Sequence, residues 1–269
     1  MLKLIWATIK ERKWPVLIYS TSSILLLLLY VALYPSLQSQ NQQLAEVMKN
    51  MPESFLKAFG MSSSLLTNFT LESLLASKQF SLVFQVLAAI LAISIAGNDL
   101  SGEIEKGTIE FLLSQPISRL KLYFARFLSG VVLLTFFVAV STLLAIPLAE
   151  AFNVTYVASN YYKLFLVAEL YSLAVYSIAY FLSALFSSKG RVYGISAGLI
   201  TAMYIAYLFA ALKDSLDNLK YISFFHYFSA DVLFSGTIDK VGIFIFSLII
   251  IIGIGIGAVI FKNRDIATS

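Results

Sequence analysis

The sequence is poor in the residues that most metal and nucleophile sites use. It contains no cysteine and a single histidine among 269 residues. The first absence excludes disulfides, thiolate metal sites and thiol nucleophiles. The second excludes a site with several histidine ligands and leaves little basis for a Ser-His-Asp arrangement. The 19 Lys and Arg residues form no basic run suited to nucleic acid. We therefore expect neither a metal site nor a nucleic-acid partner.

Charged residues are also scarce, since they make up 13% of the chain while 59% of its residues are apolar. A soluble domain carries about 25% charged and about 45–50% apolar residues. A soluble fold of this composition would be left with an apolar surface, so the composition predicts a protein surrounded by lipid. The 15 Tyr and 22 Phe agree with this prediction, because amphipathic rings favour membrane interfaces.

Six apolar runs are each long enough to cross a bilayer as a helix, for which about 20 residues are needed. They cover 16–34, 80–97, 122–148, 162–186, 192–212 and 241–261. We therefore predict an all-α integral membrane protein with six transmembrane helices, forming a single domain over 1–269. The first run is longer than the usual core of a signal peptide, so we expect no cleaved signal.

The distribution of Lys and Arg predicts the orientation, because these residues are enriched in cytoplasmic loops. With six spans both termini share one side, and that side carries 12 of the 19 basic residues, including all five Arg. We predict that this side is cytoplasmic and that the protein lies in the cell membrane as a multi-pass protein.

The first fourteen residues have the pattern of an amphipathic helix. Leu2, Ile5, Trp6 and Ile9 share one helical face, which is typical of a helix lying in the membrane interface. The alternative is a frayed cationic terminus. We expect Trp14-Pro15 to turn the chain into the first span. The basic residues expected to face the cytoplasmic leaflet are Lys3, Lys10, Arg12 and Lys13.

Two segments are predicted on the outer side. The loop 36–77 has helix-forming stretches and is predicted to form a small helical cap. The segment 213–240 is too aromatic for an ordinary exposed loop, so we predict short re-entrant helices at or slightly within the outer membrane face. His226 lies in this segment, where it is either a packed interfacial residue or a pH sensor.

The segment 98–121, between the second and third spans, combines helical periodicity with the acidic residues Glu103, Glu105 and Glu110. Ser101 is expected to cap a helix that begins at Gly102 and ends before a proline. Because glutamates disfavour contact with anionic headgroups, docking against another protein is preferred over a helix that merely lies on the membrane. The sequence thus predicts a protein-binding helix on the cytoplasmic side.

The pattern E-x-E-K-G-T-x-E-x-L-L-S-x-P-x-S-R, at 103–119, resembles the signature of type-2 ABC transporter permeases, the membrane subunits of many bacterial and archaeal exporters. The resemblance extends to the N-terminal helix, the six spans and the aromatic segment before the sixth. It implies that 98–121 holds a coupling helix gripped by a separate ATPase, and that 1–14 is the family's connecting helix. The residues that it assigns to ATPase contact and to the turn into the third span are Glu103, Glu105, Lys106, Gly107, Thr108, Glu110, Pro116, Ser118 and Arg119.

The chain has no G-x-x-x-x-G-K-[ST] phosphate loop, so we expect it to bind no cofactor, with ATP and Mg²⁺ held by the partner. The resemblance implies two ATPase copies and a second permease, which is either another copy or a sister chain. It implies an exporter subunit that is not itself an enzyme. The alternative is a stand-alone secondary transporter or channel. The transported substrate is not indicated.

A few polar and small residues inside the spans remain. Glu169 is expected about 10 Å from the outer end of the fourth span. There it contacts substrate or protons, pairs with a polar group on a neighbouring span, or reaches outer water. Asp99 is expected to be a boundary or cap residue. Gly253, Gly255 and Gly257 are expected to allow close helix packing in the sixth span.

Overall fold

The computed structural model describes residues 1–39, 69–113 and 117–264. Across these residues the regular structure is entirely helical, and six helical stretches are long and apolar enough to cross a membrane. The predicted fold class and number of spans are therefore confirmed. The α-helices are α1 (Leu2–Ser39), α2 (Leu71–Leu75), α3 (Phe84–Asp99), α4 (Ser101–Glu105), α5 (Ile109–Leu113), α6 (Arg119–Leu143), α7 (Ala145–Ala151), α8 (Ala158–Leu185), α9 (Lys189–Leu212), α10 (Phe224–Tyr227), α11 (Val232–Ser235) and α12 (Lys240–Asn263). A π-helix (Ala76–Val83) joins α2 to α3, and a 3₁₀-helix (Asp214–Ile222) follows α9.

Helix α1 continues through Pro15, so the predicted turn at Trp14-Pro15 is wrong. A proline inside a helix removes one backbone hydrogen bond and crowds the preceding turn. Side chains buried on both sides of Pro15 hold this helix together, since Thr8, Arg12 and Val16 all lie on the face packed into the bundle. The predicted interfacial helix and the first span are one continuous element.

The second span begins earlier than predicted, at Leu71. Thr70 caps it, because the Thr70 hydroxyl accepts a hydrogen bond from Ser73 N while the Ser73 hydroxyl accepts one from Thr70 N. The end of the predicted loop 36–77 therefore belongs to the span. The rest of the predicted helical cap, at 40–68, lies outside the described residues.

The third span is interrupted near its end, where α6 gives way to α7 at Leu144. Pro147 explains the break, because it has no N–H to donate to the carbonyl of Leu143 and its ring crowds that carbonyl.

The second and fourth spans form the centre of the bundle. In their most apolar stretches 61% of the residues are buried, against 11% for α9. Buried tyrosines on α6 and α8 tie the helices together by donating to backbone carbonyls of other spans. The bonds run from Tyr171 to Gln85 at 3.2 Å, from Tyr180 to Tyr123 at 2.7 Å and from Tyr123 to Ile254 at 3.0 Å. Each bond satisfies a hydroxyl that lipid would leave unpaired.

The predicted close packing of the sixth span is confirmed at two of the three glycines named for it. A Cβ at Gly253 would lie 3.1 Å from the carbonyl oxygen of Ser177 on α8, and one at Gly257 would overlap the Tyr123 hydroxyl. Gly255 has nothing within 4 Å of its Cβ position. Only the first two therefore bring backbones together.

The predicted short helices between the fifth and sixth spans are present, as the 3₁₀-helix, α10 and α11. The aromatic run around α10 is buried, and Phe225 and Phe228 pack edge-to-face against Tyr171 of α8. On the other flank, Asn160 and Lys163 of α8 donate to the carbonyls that end α11. The segment is thus held against the bundle.

Candidate functional site

The segment between the second and third spans, residues 100–118, is called here the inter-span segment. It was predicted as one helix, but its described residues form α4 and α5, separated by a turn at 106–108. Gly107 makes this turn with a φ of +71°, in the left-handed region that only glycine adopts at little cost. Nothing lies within 4 Å of its Cβ position, so the backbone conformation is what requires a glycine here.

Ser101 does not cap this segment by itself, which corrects the prediction made for it. Its hydroxyl donates to the carbonyl of Gly97 at 2.7 Å. The cap comes from α8, where the Ser183 hydroxyl accepts hydrogen bonds from Leu100 N and Ser101 N at 3.3 and 2.9 Å. A side chain from another span thus satisfies the start of α4.

Glu103 faces the bundle, although the resemblance assigned it to ATPase contact. It is 8% exposed, and one carboxylate oxygen lies 3.2 Å from Nη2 of Arg126 on α6. Its other carboxylate oxygen accepts a hydrogen bond from the Thr108 hydroxyl. Glu103 therefore anchors the inter-span segment from beneath and fixes the turn that follows it.

Most of the remaining residues from 104 to 111 are exposed. Ile109 is buried and holds α5 against the bundle, while Phe111 is 72% exposed. Glu105 is exposed and also accepts a hydrogen bond from Lys189 N at 2.7 Å, which caps the start of α9. The sequence-predicted contact residues that are exposed are Glu105, Lys106, Gly107, Thr108 and Glu110.

The far end of the segment leads into the third span. Pro116 lies outside the described residues. The Ser118 hydroxyl accepts a hydrogen bond from Lys121 N at 3.3 Å, so the predicted cap of the third span is confirmed. Arg119 donates to the carbonyl of Arg264, just after α12. The turn into α6 is thereby fastened to the end of the sixth span.

A cluster of four charged side chains lies directly beneath the inter-span segment, and we call Arg12, Asp99, Glu103 and Arg126 the buried charge cluster. The Nη1 atom of Arg12 lies 2.8 Å from Oδ1 of Asp99, and Asp99 is fully buried. Arg12 also donates to the carbonyls of Ile95 and Asn98, at 3.0 and 2.6 Å. Arg12 of α1 therefore binds the last carbonyls of α3. It does not face the lipid headgroups, as had been predicted.

The second half of the cluster joins α6 to α1 and α4. Besides its contact with Glu103, Arg126 donates to the Thr8 hydroxyl at 3.1 Å, while Tyr176 of α8 donates to Asp99 at 2.8 Å. Two positive and two negative side chains therefore meet in one buried site, which is the condition under which buried charges are tolerated. The cluster connects the inter-span segment with α1, α3, α6 and α8.

The buried charge cluster was not predicted, although the sequence contains one indication of it. Arg126 falls inside the apolar run 122–148, and Asp99 lies two residues after the run 80–97. Charged residues at such positions are costly in a membrane and usually pair. Because Arg126 was used only to orient the spans and Arg12 was placed at the cytoplasmic leaflet, the partners of both residues were not predicted.

Glu169 is hydrogen-bonded to a neighbouring span, as one of its predicted alternatives proposed. The Thr135 hydroxyl of α6 donates to Oε1 of Glu169 at 2.7 Å. The other oxygen, Oε2, is buried without a hydrogen-bond partner among the described residues. A role of Glu169 in substrate or proton contact stays a prediction. Within the same residues, no group of three or more His, Asp or Glu side chains is placed to hold a metal ion.

Comparison with known proteins agrees with this architecture. The sequence profile described as "ABC-2 family transporter protein" matches residues 11–266, which is nearly the whole chain. No curated protein sequence matches significantly. The matched range includes the inter-span segment, all four residues of the buried charge cluster and five complete spans. The chain therefore belongs to the ABC-2 transporter family, and is a multi-pass membrane subunit of an ABC transporter.

Proposed function

We propose that this chain is the permease subunit of an ATP-driven exporter and that the inter-span segment couples it to a separate ATPase. The observation that carries this proposal is the two-sided character of the segment. Glu105, Lys106 and Glu110 are exposed, while Glu103 and Ile109 are buried against the bundle. A docking element must have both properties, an accessible face for the partner and a firm attachment to the spans.

The attachment explains how movement would be transmitted. Glu103 is paired with Arg126 on α6, and Ser183 of α8 caps α4. The carboxylate of Glu105 holds the start of α9. A displacement of the segment by closure of the ATPase therefore acts on three spans together. The ATPase would favour one arrangement of the spans by binding it more tightly than the other, since only differential binding shifts such an equilibrium.

We also propose that the inter-span segment and both termini lie in the cytoplasm, with the protein in the cell membrane. The support is the excess of Lys and Arg on that side, including all five Arg. ATP is then available to a partner at this face. ATP and Mg²⁺ are assigned to that partner, because the chain has no phosphate loop.

A second permease, either another copy or a sister chain, completes the proposed complex together with two ATPases. The exposed side of α9 supports this part of the proposal. Gly190, Gly194 and Gly198 follow one another at intervals of four, and a Cβ at Gly194 or Gly198 would meet nothing within 4 Å. Small residues at this spacing allow two helices in a membrane to approach closely.

The coupling proposal is tested by reversing the charge of Glu110, which is exposed on α5. Tagged permease is purified from native membranes, and the co-purified ATP hydrolysis is measured per mole of permease. We expect Glu110→Arg to lose most of the co-purified activity. A partner surface that is complementary to the negative Glu110 would repel the positive arginine. The matched control is Glu150→Arg, an equal change of charge at an exposed position of α7, near the far end of the third span. Retention of the ATPase by Glu110→Arg, at a normal yield of folded permease, would refute the assignment.

A further inference from the structure

A cavity of ≈ 380 Å³ lies at the opposite end of the bundle from the buried charge cluster. Its walls are the π-helix with the start of α3, the α9 helix, and the chain from α10 to α11. Gln85 in its wall and Asp99 in the cluster are both on α3, about 21 Å apart along the helix axis. The volume is within the range of about 300–1,000 Å³ that small-molecule sites occupy.

Gln85 lines the cavity and has an unsatisfied acceptor. Its amide nitrogen donates to the carbonyls of Phe80 and Ser81, at 3.3 and 2.6 Å. These bonds fix which end of the side-chain amide is the oxygen, because only nitrogen can donate to a carbonyl. The residue is 2% exposed and its Oε1 has no hydrogen-bond partner in the described part of the chain. An acceptor buried in this way lacks the hydrogen bond or nearby positive charge that would offset its burial.

Asp231 places a carboxylate in the same wall, at the start of α11. The structure gives it no ion pair with a Lys or Arg among the described residues. Burial raises the pKa of Asp231, which reflects the cost of keeping its charge without a positive partner. A bound cation would remove that cost.

Aromatic side chains make up much of the remaining wall. Tyr204 and Tyr207 of α9 face Phe225 and Phe228, and the rings of Tyr204 and Phe225 are 5.0 Å apart. His226 also lines the cavity, and burial lowers its pKa, so that it is neutral at pH 7 and adds no positive charge. A carboxylate, an unpaired amide oxygen and several aromatic faces together form the surroundings that organic cations prefer.

We propose that this cavity binds an organic cation that carries an apolar or aromatic body, and that such cations are the substrate class of the transporter. The second part rests on the proposed function. The first part does not, because binding is measured on the isolated permease. Loss of ATPase coupling and loss of cation binding are therefore separate results.

The test uses the full-length permease in nanodiscs of uncharged lipid, with two probes of nearly identical shape and opposite charge. Tetraphenylphosphonium is the cation and tetraphenylborate the anion, and binding is measured by equilibrium dialysis against empty nanodiscs. We expect saturable binding of the cation, and about tenfold weaker binding of it by Asp231→Asn, since a contact to a charged group is lost. Asp214→Asn, an exposed carboxylate on the neighbouring 3₁₀-helix, is the matched control and should bind as the wild type does.

A second pair of variants keeps the test independent of the folding of the Asp231 variant. Tyr204→Leu removes a ring from the wall and is expected to weaken cation binding about threefold, while Tyr204→Phe keeps the ring and the affinity. The proposal is overturned if the wild type binds the anion as tightly as the cation or binds neither. It is also overturned if both Asp231→Asn and Tyr204→Leu, in folded form, leave cation binding unchanged.

Discussion

The guanidinium of Arg12 lies 2.8 Å from the carboxylate of Asp99, and this pair joins the first helix of the chain to the end of the second span. Both side chains are buried, so each depends on the other for charge compensation. Because Glu103 belongs to the same cluster, the contact places α1 and the base of the inter-span segment in one electrostatic unit. A movement of the segment therefore cannot leave α1 unaffected.

The first prediction concerns this pair. Removal of one partner leaves the other buried and uncompensated, so Arg12→Gln or Asp99→Asn alone is expected to cost about 3 kcal/mol of unfolding free energy. The double variant should cost less than the sum of the two. The quantity is measured by denaturant titration of the purified protein in detergent. Lys10→Gln, at an exposed position of the same helix, is the control and should change little. Strict additivity would show that the pair is not coupled.

The second prediction separates two glutamates that the resemblance treated alike. Glu103→Gln is expected to lower the unfolding temperature, because Arg126 then keeps its buried charge without a full counter-charge. Glu110→Gln is expected to leave the unfolding temperature unchanged, since Glu110 is exposed on α5, and to weaken ATPase binding. Thermal unfolding and co-purification are measured on the same preparations. Equal behaviour of the two variants in both measurements would contradict the two-sided arrangement of the segment.

The span count was predictable because it depends on length and apolarity, which a sequence displays directly. The buried charge cluster was not, since its members are separated by as many as 114 positions, from Arg12 to Arg126. Helical periodicity places Arg12 on a face of α1 but does not identify the surface that the face meets. The continuity of α1 through Pro15 was missed for the same reason. The residues on both sides of Pro15 are stabilised by packing against other helices, which the sequence does not display.

The third prediction uses the turn at Gly107, where φ is +71° and space is open around the Cβ position. Gly107→Ala is therefore expected to act through backbone strain alone, at a cost of roughly 1–2 kcal/mol. Gly107→Asn should cost less, because asparagine tolerates the left-handed region better than other residues. Denaturant titration measures both costs. If alanine proved as well tolerated as asparagine, the left-handed turn would not be needed at this position.

The fourth prediction compares two glycines of the sixth span. At Gly253 an added Cβ would lie 3.1 Å from the Ser177 carbonyl oxygen, whereas at Gly255 it would meet nothing within 4 Å. Gly253→Ala is expected to lower the unfolding temperature by forcing α12 away from α8. Gly255→Ala is expected to leave it equal or to raise it, since alanine favours the helix by about 0.5–1 kcal/mol over glycine. A loss of stability in the Gly255 variant equal to that of Gly253→Ala would contradict the packing described for this pair.

The last prediction is a dependence of stability on pH that comes from His226. Burial lowers its pKa in the folded protein, and the ammonium of Lys220 adds to the decrease, while Asp239 and Asp217 oppose it. The unfolded chain therefore binds this proton more tightly, with an ordinary pKa of about 6.5. The contribution of His226 to stability is complete above that value and is lost as the pH falls through the lower pKa of the folded state.

The measurement is the unfolding temperature of wild type and His226→Gln at pH 7.5 and at pH 5.0. We expect the wild type to lose more stability between the two than the variant, because glutamine does not titrate. Asp231 has its pKa raised by burial and acts in the opposite direction, gaining stability as the pH falls. It is present in both proteins, so the difference between them isolates His226. If both lost the same stability on acidification, His226 would bind its proton equally well in the folded and unfolded states.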